Sequence, residues 1–373
     1  MKYYIIVGEA SGDLHASNLM KSLKKIDKNP KFRYFGGDKM KEQGGKLVKH
    51  YKKMSFMGIW EVILNLKTIF NNLKFCKKDI KNYQADAVIL VDYAGFNLKI
   101  AKFINLKTKV FYYISPKIWA WNQSRAKIIK KYVNKMFVIF PFEIDFYKKY
   151  NYKVDFVGNP IIDEIEKFKK NSQISKKKFL EENNLENKKI ISILAGSRKQ
   201  EIEKNLPIML EVIPFYKDFQ FVIAAAPSIE KKFYKKFIEN KDVKIFFNKT
   251  YQILQFSYAS LVTSGTATLE TALFSVPQIA CYKTSFLTYI IGKSIVKIPY
   301  FSLVNIVMNE EIIRELLQKN MKKEILKIEL DKILFSKKRD EILKNYKILK
   351  EKIGETGASD RTAKIIFENL KKC

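Results

Sequence analysis

The chain has 373 residues, of which 47% are hydrophobic and 14% aromatic, so it can bury a large core and is long enough for two domains. Its formal net charge of +32 at pH 7 is compatible with nucleic-acid binding, because basic side chains neutralise phosphates. Only six of its 70 basic residues are arginine, however, and base readout favours the arginine fork. The composition therefore argues against a specific nucleic-acid function, although so cationic a chain is attracted to anionic membrane surfaces.

Cysteine and histidine usage bears on metals and on the cellular compartment. The three cysteines have no paired spacing and the two histidines cannot build a familiar zinc site, so we expect a reducing cytoplasm and no structural metal. The apolar run before Gly8 is five residues long, which is too short for a signal peptide. Because no stretch approaches the roughly 20 apolar residues of a spanning helix, any membrane contact is expected to be peripheral.

Strand-like apolar runs alternate with helix-like segments along most of the chain. This βαβ alternation predicts parallel sheets covered by helices. A charged stretch at 165–185 interrupts it and predicts a linker with an exposed helix, and the tail from about 320 is helical. The predicted strands are 3–7, 85–93 and 109–115 before the interruption, and 190–198, 219–226, 243–248, 259–266 and 276–282 after it.

This pattern predicts an α/β protein with two Rossmann-like domains that face each other across a cleft. The domains are expected at 1–165 and 166–345, followed by a helical tail at 346–373 that packs back on the N-terminal domain. In such sheets, ligands bind beyond the carboxyl ends of the strands. The loops that follow strands are therefore the candidate sites.

Two of these loops lie in the first half of the chain. Gly8 and Gly12 flank the passage from the first strand into a helix, but their spacing is not the dinucleotide fingerprint, so no nicotinamide or flavin is expected. Ser11 either caps that helix or, with Gly12, belongs to a site whose open N–H groups accept a phosphate or sugar hydroxyls. Asp92 ends an apolar strand, where burial raises a carboxyl pKa. It is either a general base or a helix cap.

The apolar run at 190–198 ends in Gly196, Ser197 and Arg198. This is again a strand followed by a turn of small residues. Arg198 is retained in a chain that uses lysine at nearly every basic position. Its planar fork suits a diphosphate, and the alternative is an ordinary surface arginine.

The sequence LVTSGTATLETA at 261–272 ends a strand on small residues. Ser264, Gly265 and Thr266 would offer free N–H groups and a helix dipole to an anion. Glu270 lies further along the helix, where its carboxylate could accept hydrogen bonds from two ribose hydroxyls. Together these residues predict a nucleotide-diphosphate site, and the alternative is a helix cap followed by a surface glutamate.

Motifs along nearly the whole chain resemble, in order, those of lipid-A-disaccharide synthase. The most specific are the S-P-x-x-W-A-W run at 115–121 and the G-E-x-S-G-D start at 8–13. The resemblance implies an inverting, metal-independent glycosyltransferase of the two-Rossmann-domain (GT-B) type that needs no cofactor. The motifs are GEASGDLHASNLM, FMGIWEVI, VDYAGFN, YYISPKIWAWNQSRAKII, FPFEIDFY, LAGSRKQEI, SGTATLETAL and YFSLVNIV.

The resemblance also implies substrates and a location. Such enzymes transfer 2,3-diacylglucosamine from its UDP derivative to the 6-hydroxyl of 2,3-diacylglucosamine 1-phosphate, which gives a β-1,6 disaccharide 1-phosphate and UDP. They act in lipid A biosynthesis, peripherally attached to the cytoplasmic face of the inner membrane. The resemblance implies no nucleic-acid partner and allows a homodimer.

Residue roles follow from the matched motifs. The resemblance makes Asp92 the general base and Arg198 a catalytic residue that contacts the donor diphosphate. The remaining donor-binding residues would be Gly196, Ser197, Ser264, Gly265, Thr266, Glu270 and Asn305, and the acceptor-binding residues would be Ser11, Gly12, Met57 and Gly58.

Three positions depart from the family pattern. Gly95 stands where many members carry a second acid, so that acid cannot be required here. Asn159 replaces the histidine of a G-H-P turn, and Val304 replaces the proline before Asn305.

Two further interpretations remain open at this stage. Another UDP-sugar enzyme of the same fold, such as the glucosaminyltransferase of peptidoglycan synthesis or a UDP-N-acetylglucosamine epimerase, would share these motifs in part. The segment 56–75 carries more large apolar residues than an ordinary surface helix. It is either an element that touches the membrane or acyl chains, or part of the domain core.

Overall fold

A computed structural model of the chain describes residues 1–54, 64–104, 108–239, 241–285, 289 and 298–371. The strands are β1 Lys2–Ile6, β2 Lys31–Gly36, β3 Lys46–His50, β4 Ala87–Val91, β5 Lys109–Tyr113, β6 Lys135–Val138, β7 Asp155–Phe156, β8 Lys189–Leu194, β9 Phe219–Ala225, β10 Val243–Phe247, β11 Ser257–Thr263, β12 Gln278–Tyr282 and β13 Glu315–Leu317. The α-helices are α1 Ala10–Ile26, α2 Asp38–Glu42, α3 Leu66–Tyr83, α4 Ala94–Ala101, α5 Arg125–Tyr132, α6 Phe142–Lys148, α7 Pro160–Asn171, α8 Lys176–Glu182, α9 Lys199–Leu210, α10 Lys231–Ile238, α11 Thr250–Phe256, α12 Thr266–Leu273, α13 Leu303–Met308, α14 Lys323–Phe335, α15 Lys338–Lys352 and α16 Ala358–Lys371.

The chain divides into two compact units. The N-terminal unit comprises Met1–Pro160 and Gly354–Cys373, and the C-terminal unit comprises Ile161–Ile353. The predicted boundaries at 165 and 345 lie a few residues from these limits. Because α15 belongs to the C-terminal unit, the segment that returns to the N-terminal unit is essentially α16, which contributes Ile366 to the core that also contains Leu19 of α1.

The N-terminal unit is built on a seven-stranded parallel sheet in the order β3-β2-β1-β4-β5-β6-β7. Both β1 and β4 are almost entirely buried, which explains why they read as continuous apolar runs. The direction in which the sheet is built reverses between β1 and β4. The loops that follow these two strands therefore emerge side by side, at the position where such sheets bind ligands.

The C-terminal unit repeats the architecture with a six-stranded parallel sheet in the order β10-β9-β8-β11-β12-β13. Here the reversal lies between β8 and β11, which pair with Leu194 opposite Val262. Ser192 and Ser260 bridge these strands by a buried hydroxyl hydrogen bond of 2.9 Å. The predicted fold class, with two Rossmann-like sheets, is confirmed.

The structure contains elements that the apolar pattern did not predict. The strands β2, β3, β6, β7 and β13 were not predicted. In β2 the reason is a charged residue in the strand. Arg33 lies there because Asp79 accepts two hydrogen bonds from its guanidinium. The stretch at 165–185, expected to be a linker with an exposed helix, is instead mostly helical. It contains the end of α7 and the whole of α8, and α8 buries Phe179 in the core.

Candidate functional site

Asp92 occupies the loop that follows β4 in the N-terminal unit. Its backbone N–H donates to the Tyr113 carbonyl at 3.2 Å, which continues the sheet for one residue. Its backbone carbonyl accepts hydrogen bonds from the Tyr112 hydroxyl and, at 2.9 Å, from the Asn97 amide. The backbone of Asp92 is thus fixed from two sides, while the side chain is only partly buried.

The backbone at this loop is strained. Asp92 and Tyr93 have φ values of 44° and 48°, in the left-handed region that few residues other than glycine adopt. Tyr93 is held there by its hydroxyl, which donates to the Met54 carbonyl at 2.9 Å, and by its ring, which fills the space that a side chain at Gly8 would need. Two consecutive strained residues, secured by several contacts, are typical of a functional loop.

Burial raises the pKa of the Asp92 carboxyl from its ordinary 3.8 to about 6, and the nearby Glu9 carboxylate raises it further. The charge of Lys117 and the Tyr93 backbone N–H oppose this shift. The helix-capping alternative is not supported. The helix α4 has Tyr93 at its N-cap position, without a side-chain cap hydrogen bond. The carboxylate is therefore available as a base with a pKa close to neutrality.

The loop after β1 lies beside that of β4, and it differs from its prediction. Ser11 is not the cap of α1: Glu9 holds that position, and the exposed Ser11 hydroxyl donates to the Glu9 carboxylate at 2.8 Å. Gly12 is buried, and a Cβ there would lie 3.1 Å from Cβ of Val7, so the glycine permits close packing of α1 on β1. The predicted acceptor residues Met57 and Gly58 lie outside the described residues.

A buried carboxyl group supports the loops at the ends of β5 and β6. Glu143 accepts hydrogen bonds from the backbone N–H groups of Ile139 and Phe140, at 3.2 and 3.0 Å. Burial raises its pKa to about 7. Nearby, the hydroxyls of Ser115 and Tyr147 lie 2.8 Å apart. These buried hydrogen bonds hold the loops that follow β5 and β6.

Gly196, Ser197 and Arg198 form the loop after β8 in the C-terminal unit. Gly196 has a φ of 113°, and a Cβ at this position would lie 2.7 Å from the Glu201 carboxylate. That carboxylate accepts from the Ser197 N–H at 3.0 Å and lies 3.7 Å from the Arg198 guanidinium. The Arg198 side chain is 62% exposed, so its fork is accessible to a ligand.

The loop after β11 emerges next to it, since the two strands are neighbours. The Ser264 hydroxyl donates to the Phe301 carbonyl at 2.9 Å, which ties this loop to the segment before α13. Gly265 is the N-cap residue of α12, with φ of 155° and ψ of −157°, a conformation essentially restricted to glycine. Thr266 begins α12 and is exposed. The two loops predicted to bind the donor are therefore brought together at one edge of the sheet.

Glu270 lies one helical turn into α12. Its carboxylate accepts a hydrogen bond of 2.8 Å from the Tyr251 hydroxyl, and burial raises its pKa. The ring of Tyr251 packs against Phe168 and Phe274. The carboxylate is thus held in one orientation by a fixed tyrosine, with one oxygen still able to accept from a ligand.

Asn305 differs from the other predicted donor residues because its side chain is completely buried and fully hydrogen-bonded. Its amide donates to the Ile313 carbonyl and the Glu315 carboxylate, and its oxygen accepts from the N–H groups of Ile312 and Ile313. A direct contact with the donor would require breaking one of these bonds. These hydrogen bonds give Asn305 a structural role, and its contact with the donor stays a prediction.

Comparison with known proteins connects both sites to a family. The family model described as Lipid-A-disaccharide synthetase matches residues 3–366. The chain belongs to this family. Members are glycosyltransferases, and the chain is one by the same match.

Relatives with curated names agree with the family match. The lipid-A-disaccharide synthase of Geobacter metallireducens is 33% identical over 377 residues, which is 99% of this chain and 97% of that protein. The lipid-A-disaccharide synthase of Coxiella burnetii is 32% identical over 369 residues, or 97% and 96% of the two chains.

Similar solved structures show the fold alone, because their sequence identities are low. A UDP-GlcNAc 2-epimerase from Neisseria meningitidis is 15% identical with a TM-score of 0.65 and full coverage of both chains. A glycosyltransferase from Rickettsia africae is 15% identical with a TM-score of 0.60, and the match covers 100% of this chain and 98% of that one. Both support the two-Rossmann architecture.

Several site residues were not singled out from the sequence. Glu201 could have been found, because a carboxylate three residues after Arg198 lies on the same side of the following helix. Glu9 is part of the G-E-x-S-G-D motif. Tyr251 carried no signal, since its pairing with Glu270 depends on how α11 packs beside α12. In the part of the chain that the structure describes, no cluster of three or more potential metal ligands is found.

Proposed function

We propose that the chain transfers 2,3-diacylglucosamine from UDP-2,3-diacylglucosamine to the 6-hydroxyl of 2,3-diacylglucosamine 1-phosphate, forming the β-1,6 disaccharide 1-phosphate and UDP. The observation that carries the proposal is the family match over residues 3–366, which includes every loop discussed above. The named relatives are lipid-A-disaccharide synthases over almost their whole length.

Asp92 is the proposed general base of this reaction. Its partly buried carboxylate, with a pKa of about 6, is ionised at neutral pH yet far more basic than an exposed aspartate. It would accept the proton of the 6-hydroxyl as the oxygen attacks the anomeric carbon of the donor. Gly95 has open space around it and carries no acid, so Asp92 acts without the second carboxylate of many relatives.

The donor is proposed to bind at the loops after β8 and β11. Arg198 and the N-terminus of α12, opened by Gly265, would stabilise the negative charge that develops on the departing UDP. Glu270 would accept hydrogen bonds from the ribose hydroxyls. A single displacement of UDP by the acceptor hydroxyl inverts the anomeric centre, which gives the β linkage from an α donor.

The direct test supplies the purified protein with both diacylated sugars and measures UDP and the disaccharide 1-phosphate by mass spectrometry. We expect both products in equal amounts, and neither when the acceptor is omitted. Release of UDP without a disaccharide, or interconversion of the donor into its 2-epimer, would instead assign an epimerase or hydrolase function to the same fold.

We also infer that the protein binds peripherally to the anionic cytoplasmic face of the inner membrane. Between α3 and α4 lies a groove of about 700 Å³, which we name the lysine–phenylalanine groove. Around it, Leu64 and Phe70 are 81% and 60% exposed, whereas Leu73 is buried, so the described part of segment 56–75 has one face in the core and another at the surface. None of the helices described is long and apolar enough to span a bilayer. The groove is lined by Phe70, Asn71, Leu73, Lys74, Lys77, Lys99, Lys102 and Phe103.

The lysine–phenylalanine groove combines ammonium groups with phenyl rings, and this combination suits the headgroup region of a membrane with anionic lipids. Lys77 lies 5.1 Å from the Phe103 ring centroid, and Lys99 lies 5.4 Å from that of Phe70. Within the described residues these lysines form no ion pair with a carboxylate. Phenyl rings would enter the headgroup boundary while the ammonium groups bind phosphates.

Vesicle binding tests this inference. Replacing Lys77, Lys99 and Lys102 by glutamine should weaken binding to vesicles that contain phosphatidylglycerol on the order of 100-fold, because each lysine contributes about 1 kcal/mol. The matched control replaces three exposed lysines of α10 (Lys231, Lys232 and Lys235), which removes the same charge elsewhere. Equal losses in both triple variants would mean that net charge alone, and not the groove, drives binding.

A further inference from the structure

Arg125 and Trp121 form a cationic and aromatic pair in the region that follows β5. Arg125 is the first residue of α5, and its guanidinium carbon lies 4.8 Å from the centroid of the Trp121 ring. Trp121 keeps 43% of its surface exposed, although most large aromatic side chains of this unit are buried. A ring below the guanidinium restricts the arginine side chain while leaving its N–H groups able to donate to a ligand.

The guanidinium of Arg125 lacks the partners that other arginines have within the protein. Arg33 forms an ion pair with Asp79, and Arg314 forms one with Glu311. Within the described residues, Arg125 forms no ion pair with a carboxylate. Arg339 and Arg361 also lack a carboxylate partner among the described residues, but their guanidinium groups donate to backbone carbonyls. The Arg125 guanidinium donates no hydrogen bond to any residue that the structure describes, so its N–H groups are able to bind an anionic ligand from outside.

Arg125 lies close to the proposed base. The Tyr112 hydroxyl donates a hydrogen bond to the backbone carbonyl of Asp92. The charge of Arg125 lowers the pKa of the same hydroxyl, while that of Asp92 raises it. The helix α5 also packs against α4, which begins two residues after Asp92. A ligand that contacts Arg125 can therefore reach Asp92 with another of its groups.

We propose that Arg125, supported by Trp121, binds the 1-phosphate of the acceptor sugar. This inference rests on the proposed function, which makes the acceptor a phosphate monoester. The 6-hydroxyl and the 1-phosphate are attached to one pyranose ring, so the phosphate site must lie within one sugar ring of Asp92. Two hydrogen bonds from the Arg125 guanidinium to two phosphate oxygens would orient the sugar so that its 6-hydroxyl lies beside the Asp92 carboxylate.

The experiment compares two acceptors, 2,3-diacylglucosamine 1-phosphate and the same sugar with a free 1-hydroxyl, in the full-length protein. Replacing Arg125 by glutamine should raise the KM of the phosphorylated acceptor about 10- to 100-fold. The KM of the UDP donor, and the rate with the dephosphorylated acceptor, should stay as in the wild type. The KM of Arg125→Lys for the phosphorylated acceptor should lie between those of the wild type and Arg125→Gln, since lysine keeps the charge but loses the fork.

Matched controls separate recognition from structure. Lys127→Gln removes one exposed positive charge two residues along the same helix and should leave the preference for the phosphorylated acceptor unchanged. Trp121→Phe should retain most of that preference, and Trp121→Ala should lose part of it. An Arg125→Gln variant that weakens both acceptors equally, or that raises the donor KM instead, would overturn the proposal.

Equilibrium binding of short-chain forms of both acceptors, measured by calorimetry without donor, gives a readout that does not depend on turnover. If the wild type binds the phosphorylated sugar preferentially and Arg125→Gln does not, the phosphate site is supported. This holds even if no disaccharide forms, and in that case only the proposed function fails. Disaccharide synthesis by a wild-type protein that binds both acceptors equally well would refute the phosphate site and leave the function standing.

Discussion

At the scale of single residues, arginine usage separates specific interactions from general charge. The guanidinium of Arg361 donates to three backbone carbonyls, those of Val157, Glu355 and Thr356. That of Arg339 lies 3.6 Å from the ring centroid of Tyr258. The planar fork suits both arrangements, because it directs N–H groups to several carbonyls at once and stacks flat on a ring. In a chain that otherwise chooses lysine, these two arginines lie where the fork is used, which is in keeping with the role proposed for Arg198.

Asp92→Asn should lower kcat by roughly 10²- to 10⁴-fold with little change in either KM, because asparagine keeps the shape but cannot accept the hydroxyl proton. Steady-state kinetics with both substrates measures this. A variant with near-normal kcat would remove Asp92 from the role of base.

The same substitution should stabilise the fold. The folded protein raises the Asp92 pKa from 3.8 to about 6, so the ionised carboxylate costs stability above about pH 6, and this cost disappears below about pH 4. Asp92→Asn should therefore be more stable than the wild type by roughly 1–3 kcal/mol at pH 7 and equally stable near pH 4. Denaturant unfolding at both pH values checks the sign. A destabilised variant at pH 7 would instead indicate that the carboxylate supports the loop.

The rate should also depend on pH through Asp92. Because the base must be ionised, kcat/KM should rise with pH and level off above an apparent pKa of about 6. Glu9 contributes to that value through its negative charge, so Glu9→Gln should move the acid limb to lower pH. If the acid side of the kcat/KM profile is unchanged in Glu9→Gln, burial alone sets the pKa of Asp92.

Arg198→Lys should reduce turnover by about 30- to 1,000-fold although the charge is kept, since an ammonium cannot hold two diphosphate oxygens at once. The loss corresponds to roughly 2–4 kcal/mol of transition-state stabilisation. Lys199→Gln, at the neighbouring exposed position, serves as the control and should have little effect. Normal turnover in the lysine variant would place Arg198 outside the diphosphate site.

At the scale of elements, the segment before α13 supports the loop after β11. Glu315, in β13, accepts hydrogen bonds from the backbone N–H groups of Phe301 and Ser302. The Phe301 carbonyl in turn accepts from Ser264, and Asn305 donates to Glu315. The motif that contains Asn305 thus contacts the loop after β11, which is the proposed donor site, through the Phe301 carbonyl.

Asn305→Ala should therefore destabilise the protein by roughly 2–4 kcal/mol, because it leaves the buried N–H groups of Ile312 and Ile313 without an acceptor and removes one of the donors to Glu315. Thermal unfolding measures the loss. A residue that bound the donor directly would behave differently, with an unchanged melting temperature and a raised KM for the UDP donor. Ser302→Ala, which removes the cap of α13, should have a smaller effect of about 1 kcal/mol.

At the scale of the whole molecule, the net charge of +32 attracts any polyanion. Much of it lies on exposed lysines in both units, including those of α10, and is not concentrated at the ends of the strands. Such a distribution gives binding that is strong at low ionic strength and weak in physiological salt. It does not by itself define a site.

RNA binding should accordingly be nonspecific. We expect a short single-stranded RNA to bind at 20 mM salt, to lose most of its affinity by about 200 mM, and to show no preference among sequences. Titration at several salt concentrations measures the slope. Tight binding of one sequence at physiological salt would revive the nucleic-acid alternative, and UDP binding under the same conditions serves as the positive control.

The sequence by itself determined the two parallel sheets, because strands that are buried on both faces must be apolar along their whole length. It also located the loops after β4, β8 and β11, because polar residues end those apolar runs. It could not find β2, where a charged Arg33 is tolerated only because Asp79 lies beside it. Nor could it show that Asp92 does not cap α4, that its carboxyl pKa is raised, or that the Asn305 side chain is hydrogen-bonded within the protein. Those outcomes depend on burial and on partners that are distant in the chain, such as Glu9 for Asp92 and Tyr251 for Glu270. Only the tertiary structure brings such groups together, and their desolvation and hydrogen bonds decide what each side chain can do.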